Sequence, residues 1–401
     1  DVGELISVPG NPGIGHIART SSLDPTDFDA VADLADREQI DLTVVGPELP
    51  LSRGIADRFV ADGRLLVGPT AAAARLESSK AFAKAFMARH QVPTARFRAC
   101  TSLDAALDVV RGDEFGMPIV LKADGLAAGK GVVIAETRAV AERAVRDAME
   151  DRKFGAAGDQ LVIEECLRGP EVSFFCLCDG VRAIPIGTAQ DHKRIFDDDR
   201  GPNTGGMGAF APSPLIDAAL SSRVMREIAE PVVSGMAHEG HPFRGFLYIG
   251  LMLTASGPKV IEFNVRFGDP EAQVVLPLID EPLLPLLVAA AAGSLADRAI
   301  ALGTEKLVGV VLASRGYPES SSSGQVIRGI DVAEAIPGVS VYHAGTAKQG
   351  REIVTAGGRV LTVVGRGTEY GDAIDRAYEG VRAISFDGMQ YRRDIGVKLK
   401  T

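Results

Sequence analysis

The sequence is 401 residues long, too many for one ordinary core, so two to four domains are expected. Apolar residues make up 46% and charged residues 24%, which excludes a disordered chain. A net charge of −10 and a pI of about 5.2 exclude general affinity for nucleic acid, which needs a concentrated basic face.

The first part alternates short apolar runs with helical patterns. "ELISVPGN" reads as a strand and turn, "FDAVADLADREQI" as an amphipathic helix, and "DLTVVGPE" as a buried strand ending in a turn. "PLSRGIADRFVADG" is a helix and "RLLVGP" another strand. Strands alternating with helices predict a parallel sheet with crossovers, in which ligands sit beyond the carboxyl ends of the strands. Gly10–Asn11–Pro12–Gly13 and Gly46–Pro47–Glu48 lie at such ends, although glycine turns there are as readily structural. "ESSKAFAKAFMARH" (77–90) reads as a helix opened by serine caps. Phe82 and Phe86 share its buried face. Lys80 and Lys84 share another, whose plain reading is a solvated face.

From residue 92 the pattern turns toward strands and hairpins. "IVLKADGLAAGKG" (119–131) resembles a P-loop, but Gly125 and Gly129 stand too close and Gly131 replaces the hydroxyl that would hold magnesium. "QLVIEECL" is a strand, and "EVSFFCLCDGVRAIPIGTAQ" a hairpin turning at Asp179–Gly180. A glycine-dense loop, "DDDRGPNTGGMGAFAP", precedes a helix near 215–238 and the strands "FLYIGLMLT" and "KVIEFNVRFGDPE". From about 301 a new unit begins. The apolar stretch "PLLPLLVAAAAGSL" (282–295) is too short and too interrupted to span a bilayer. No signal peptide is expected. Cys100, Cys166, Cys176 and Cys178 form no C-x-x-C pair and read as small core residues in a reducing cytoplasm.

Three stretches carry site chemistry. In "VIEFNVRFGDPE" strand alternation puts Ile261, Phe263 and Val265 on one side and Glu262, Asn264 and Arg266 on the other. A carboxylate and an amide oxygen two residues apart are hard ligands suited to magnesium, and the arginine beside them can clamp phosphoryl oxygens. An ordinary surface ion pair is the competing reading. Lys122 ends a strand, on the face of Val120, ahead of a glycine loop whose N–H groups could close over phosphates. In "VIEECLRGPE", Glu164, Glu165 and Glu171 surround a turn that could read an adenine edge and ribose hydroxyls, or could be only a charged turn.

A lysine on a strand before a glycine loop, then an E-E-x-L turn, then an E-x-N strand, resembles the ATP-grasp pattern. "KADGLAAGKGV", "AQDHKR", "GPNTGGMGAF" and "EFNVRFGDPEAQ" together resemble the phosphoribosylamine–glycine ligase family. "VVGPELPLSRGI" and "SSKAFAKAFM" look like its first domain and the join. "VVLASRGYP", "VYHAGT", "TAGGRVLTVVG" and "YRRDIG" look like its last domain.

The resemblance implies a multidomain α/β protein. It would have a parallel-sheet N-terminal domain (1–76), an ATP-grasp region (77–300) with a mobile flap at about 98–163, and a small α+β C-terminal domain (301–401). It implies ATP as cosubstrate, Mg2+ as the metal with Mn2+ as the alternative, and glycine and 5-phosphoribosylamine as substrates. A monomer is expected, with no nucleic-acid or membrane partner. Lys80 and Lys122 would contact ATP, under a flap containing Asp124, Gly125, Gly129, Lys130 and Gly131. Glu164, with the backbone of Glu165 and Leu167, would read adenine, and Glu171 would hold the ribose. Glu262 and Asn264 would bind the metal, while Arg266 and Lys122 would be catalytic. Asp191, Lys193, Arg194, Asn203, Gly206, Met207, Gly208 and Arg266 would lie near the substrates, with His192 a base or a phosphate contact.

The sequence departs from the pattern twice. The strand "LYIGLML" lacks the third acidic metal ligand of other ATP-grasp ligases, so phosphates and water would complete the coordination. The family pattern also opens with a strand and glycine-rich turn that help bind phosphoribosylamine, and this sequence is expected to start after them.

Overall fold

The computed structural model describes residues 2–125 and 131–400. Its N-terminal part holds two short parallel pairs, Ile6–Ser7 with Arg19–Thr20 and Thr43–Val44 with Leu66–Val67. The amphipathic helix Phe28–Arg37 is capped by Asp27, which accepts from the Ala30 N–H, and buries Ala32, Leu34 and Ala35. Ala32 and Ala35 share one core with Phe59, Phe86, Val232 and the strand Arg244–Thr254.

The helix expected over 77–90 is two helices, Ala71–Ser78 and Lys80–Arg89. Ser79 breaks them with extended backbone, and its hydroxyl caps the second by accepting from the Phe82 N–H at 3.1 Å. A serine that competes with the helix for backbone partners explains the break.

The centre is an eight-stranded antiparallel sheet. Across it run Gly257–Asn264, Arg244–Thr254, Glu171–Asp179, Ala183–Asp191, Gly208–Ala211, Lys306–Ala313, Arg359–Gly367 and Val339–His343. The last three come from beyond residue 301, so that unit extends the central sheet. The two faces pack against separate cores. One takes Phe174, Cys176, Cys178, Ile249 and Phe263, and the other takes Phe175, Leu177, Tyr248 and the helix Leu283–Ala292. All four cysteines are free thiols, three of them buried.

A second, four-stranded sheet is ordered Phe97–Cys100, Leu161–Glu165, Ile119–Ala123, Val132–Ala135. Helices Leu103–Arg111 and Arg138–Met149 cover one face, burying Ile119, Leu121 and Ile163. The alternate residues Val120 and Lys122 therefore face the other way, toward the central sheet. Among the described residues no helix is long and apolar enough to cross a membrane.

Candidate active site

Between the two sheets lies an open cleft of about 1280 Å³. Of the expected nucleotide contacts, Lys80, Lys122, Gly125, Gly131, Glu164, Glu165, Leu167 and Glu171 line it. Asp191, Lys193, Arg194, Asn203, Glu262, Asn264 and Arg266 join them from the central sheet and its loops. Gly129 and Lys130 lie outside the described residues.

The metal row sits where a strand irregularity puts it. Gly250 pairs with Glu262 but Leu251 pairs with Val260, so Ile261 is an extra residue in its strand. The expectation that Ile261 shares a face with Phe263 and Val265 is corrected by this bulge: Val260, Phe263 and Val265 enter the core, while Ile261 turns to the cleft beside Glu262. The bulge also frees the Ile261 carbonyl, which accepts from Lys122 Nζ at 3.0 Å and links the two sheets.

Lys122 belongs to a buried ionic group. Glu164 is 3% exposed and lies between Lys122 and Lys84, which are 5% and 2% exposed. Its Oε1 is 2.5 Å from Lys122 Nζ, and its Oε2 is in contact with Lys84 Nζ. Lys84 also donates to Thr94 Oγ1 at 2.7 Å, and Thr94 donates to the Val260 carbonyl at 2.7 Å. Two readings change. Lys84 is not on a solvated face, and the Glu164 carboxylate, expected to read adenine, is occupied in holding two lysines. Burial depresses Lys84 to about 8 although Glu164 opposes the shift.

Asp124 also has another task. Its carboxylate accepts from the Ala81 N–H at 3.0 Å and from Ser79 Oγ at 3.1 Å, fixing the start of the loop to the N-terminus of the Lys80–Arg89 helix. Lys80 Nζ donates to the Gly125 carbonyl at 2.8 Å. Burial holds Lys80 below its usual range. Glu165 is directed outward, pairing with Arg96 Nε at 2.9 Å, and its own N–H donates to the Arg96 carbonyl at 3.0 Å. Apolar side chains that could hold an aromatic base come from both sheets: Val120, Ile134, Leu167 and Met252.

On the central sheet Lys193 lies 3.3 Å from Glu171 and 3.7 Å from Glu262. Asp191 chiefly raises its pKa well above the usual lysine range. Burial pushes the Glu262 carboxyl up, but Lys193, Lys122, Lys80 and Arg266 outweigh it, so it is held below its usual range and charged. Arg266 Nε donates to Glu48 at 3.1 Å and Nη2 to Glu77 at 3.1 Å, tying the cleft to the N-terminal part. Burial raises Glu77 to about 7 against the pull of Arg266. Among the described residues no group of three or more His, Cys, Asp or Glu could hold a metal ion. Glu262 and Asn264 still supply two hard oxygens toward open space, the small protein share that magnesium takes when nucleotide phosphates and water supply the rest.

Gly206, Met207 and Gly208 do not line the cleft. Met207 is fully buried against Ile195 and Ala313. A Cβ on Gly206 would sit 2.5 Å from Pro270, and one on Gly208 would sit 2.7 Å from the Gly309 carbonyl. These residues are close-packed and the glycines serve that packing, whereas the place near the substrates expected for them rested on the family resemblance. His192 faces the cleft with a buried Nδ1 that has no hydrogen-bond partner among the described residues; burial and then Arg392 depress it to about 4.

Sequence reasoning missed several participants. Lys84 is signalled only by its spacing from Lys80, and Glu77 only by its place before the Ser79 break. Arg359 comes from the far end of the chain: its Nη1 donates to the Gly205 carbonyl at 2.7 Å and to the Asp269 carbonyl at 2.5 Å. Arg392, 1% exposed, makes paired bonds to Asp394 at 2.7 Å and reaches Asp199 at 2.8 Å and the Arg194 carbonyl at 3.2 Å.

Comparison with known proteins agrees with this architecture. Residues 1–77, 78–272 and 307–398 match the N domain, the ATP-grasp (A) domain and the C domain of phosphoribosylglycinamide synthetase. Phosphoribosylamine–glycine ligases of Xylella fastidiosa and Mesorhizobium japonicum are each 51% identical, covering 98% of this chain and 92% of theirs. The crystal structure of phosphoribosylamine–glycine ligase from Thermotoga maritima superposes with a TM-score of 0.84 at 31% identity, covering 98% of this chain and 94% of that one. The biotin carboxylase domain of the Hydrogenobacter thermophilus 2-oxoglutarate carboxylase shares the fold at 18% identity and a TM-score of 0.73, over 97% of this chain and 86% of that one. The chain belongs to the phosphoribosylglycinamide synthetase family of ATP-grasp ligases.

Proposed function

We propose that the cleft joins glycine to 5-phosphoribosylamine at the expense of ATP, by way of a glycyl phosphate. The γ-phosphoryl group of ATP passes to a glycine carboxylate oxygen, and ADP leaves. The amine of phosphoribosylamine then attacks the acyl carbon, a C–N bond forms, and phosphate leaves. Phosphorylation is needed because a carboxylate is a poor electrophile. The observation that carries the reading is that Lys80 and Lys122 on one side of the cleft face the Glu262–Asn264–Arg266 row on the other.

In this reading Val120, Ile134, Leu167 and Met252 enclose the base, and Glu171 holds the ribose. Glu164 is a positioning residue: it keeps Lys122 aimed across the cleft, where charge spreads over the transferring phosphoryl oxygens. Arg266, anchored by Glu48 and Glu77, acts on the same charge. Glu262 and Asn264 would hold Mg2+, or Mn2+, which when bound neutralises phosphate charge. Asp191, Lys193, Arg194 and Asn203 take the substrates. Every residue used comes from one chain, so a monomer suffices, and the free thiols suit a reducing cytoplasm.

The test is ADP release that depends on both glycine and phosphoribosylamine. Glu262→Ala removes one of two protein oxygens offered to the metal and should lower turnover by at least about 100-fold, the scale of losing one stabilising group at a reacting centre. Its circular dichroism should match that of the unmodified protein. Unchanged turnover would sink the metal assignment.

A further inference from the structure

Two residues from beyond position 301 reach the cleft wall and have no part in the scheme above. Arg359, the first residue of the strand Arg359–Gly367, lines the cleft. Its Nη1 donates to the Gly205 carbonyl at 2.7 Å and to the Asp269 carbonyl at 2.5 Å, and its Nη2 pairs with Asp269 Oδ2 at 3.0 Å. Among the described residues, no hydrogen bond or ion pair joins the guanidinium to its own unit. Tyr317 takes the other side of the same glycine: its hydroxyl accepts from the Gly205 N–H at 2.9 Å. Both polar groups of Gly205 are therefore held from the C-terminal unit. Only a glycine allows so close an approach, since a Cβ there would fall 2.9 Å from Arg359 Cζ. Tyr317 is itself fixed, its carbonyl accepting from Gln390 Nε2 at 3.1 Å.

The grip on Gly205 passes one residue back. The Thr204 N–H and hydroxyl both donate to the Lys193 carbonyl, at 2.7 Å and 2.8 Å, and the Gly206 N–H closes the turn on Thr204 Oγ1 at 2.9 Å. The Met207 N–H donates to the His192 carbonyl at 2.8 Å, and the His192 N–H to the Gly208 carbonyl at 2.9 Å. Arg194 pairs with Asn203. The segment 203–208 is thus laced by its backbone along 192–194, which carries side chains assigned above to the substrates. The small sheet, which faces the nucleotide, supplies none of these groups.

Resting on the reading of the cleft given above, we propose that Arg359 and Tyr317 are positioning residues through which the C-terminal unit sets the affinity for glycine and phosphoribosylamine, and not for ATP. A guanidinium is a rigid fork of donors, and here it meets two carbonyls and a carboxylate that would otherwise repel one another. Without it the Gly205 and Asp269 carbonyls lose the cation that holds them together, and the lacing behind Lys193 loosens. A misplacement of about 1 Å at such a wall is enough to cost about 100-fold. A residue that served only the C-terminal unit would bond within it.

The experiment measures KM for glycine, phosphoribosylamine and ATP in full-length Arg359→Met and Tyr317→Phe. Arg359→Met should raise KM for glycine, phosphoribosylamine or both by about 10-fold or more, the scale of losing hydrogen bonds to a charged group. Tyr317→Phe deletes one oxygen and should raise it by about 3-fold or more. KM for ATP should stay within about two-fold in both. Amide exchange of residues 203–208, followed by mass spectrometry without substrates, should quicken by about 10-fold in both. Substrate KM values that do not move, a rise shared equally by ATP, or unchanged exchange would each overturn the proposal. Should Arg359→Met misfold, Tyr317→Phe carries the decision. Failure of the reaction assigned to the cleft would appear in the unmodified protein, as ADP release that needs neither substrate, and amide exchange would still decide the fate of the clasp.

Discussion

Removing the charge of Glu164 tests the buried ionic group most directly. Glu164→Gln keeps the shape of the side chain but leaves Lys84 and Lys122, both almost fully buried, facing one neutral amide. Breaking a buried pair by deleting one partner costs about 3–5 kcal/mol. A lysine can limit that cost by losing its proton. Lys84, already depressed to about 8, is the one that would do so. Because Glu164 lies on the strand Leu161–Glu165 and Lys122 on Ile119–Ala123, the cost falls on the small sheet.

The assay is amide hydrogen exchange of these two strands followed by mass spectrometry. Protection should fall by about 10²- to 10⁴-fold. The chain has no tryptophan, so circular dichroism rather than tryptophan fluorescence should follow the accompanying drop in the urea midpoint. Adding Lys84→Met should restore much of the protection, since one cation then remains, still bonded to the Ile261 carbonyl. Exchange in Glu164→Gln indistinguishable from the unmodified protein would refute the reasoning, because it would mean that water already solvates these charges.

Two further perturbations reach other parts of the molecule. Arg392→Met removes the guanidinium that holds Asp394, Asp199 and the Arg194 carbonyl; the hairpin Arg194–Asn203 should loosen, and trypsin should cut at Arg194 or Arg200 about 10-fold faster or more, an unchanged rate counting against the latch. His192 is held at about 4, below the usual histidine value of 6.5, so the unfolded chain takes up a proton first as pH falls. Its contribution is present above pH 6.5 and is lost on the way down to about 4. The urea midpoint of the unmodified protein should therefore fall relative to His192→Gln across that window, and a pH-independent difference would show that the ring is not buried neutral.

How much of this was legible in the sequence depends on the range of the forces involved. Strand alternation located Lys122, Glu262, Asn264 and Arg266, because side-chain direction is a local property of a strand. It failed at Ile261, where the bulge depends on the partner strand. The plain reading of Lys84 as solvated failed because its neighbours, Glu164 and Thr94, are brought in by tertiary packing. Arg359 and Arg392 were out of reach for the same reason: apart from Asp394, their partners lie 90 or more residues away. The family resemblance put Gly206, Met207 and Gly208 near the substrates, whereas they are small or buried for packing. The family pattern supplied what spacing could not, namely the order of the fragments and the reaction.

The continuity of the central sheet bears on how the chain is made. The strand Gly208–Ala211 takes its outer partner from Lys306–Ala313, which is synthesised roughly a hundred residues later. At about 5–20 residues per second that edge waits about 5–20 s with its N–H and C=O groups unpaired, beside the strand that carries Asp191. The catalytic sheet is therefore completed only when the last quarter of the chain has emerged, and a ribosome that stalls short of it leaves a sticky edge at the heart of the enzyme.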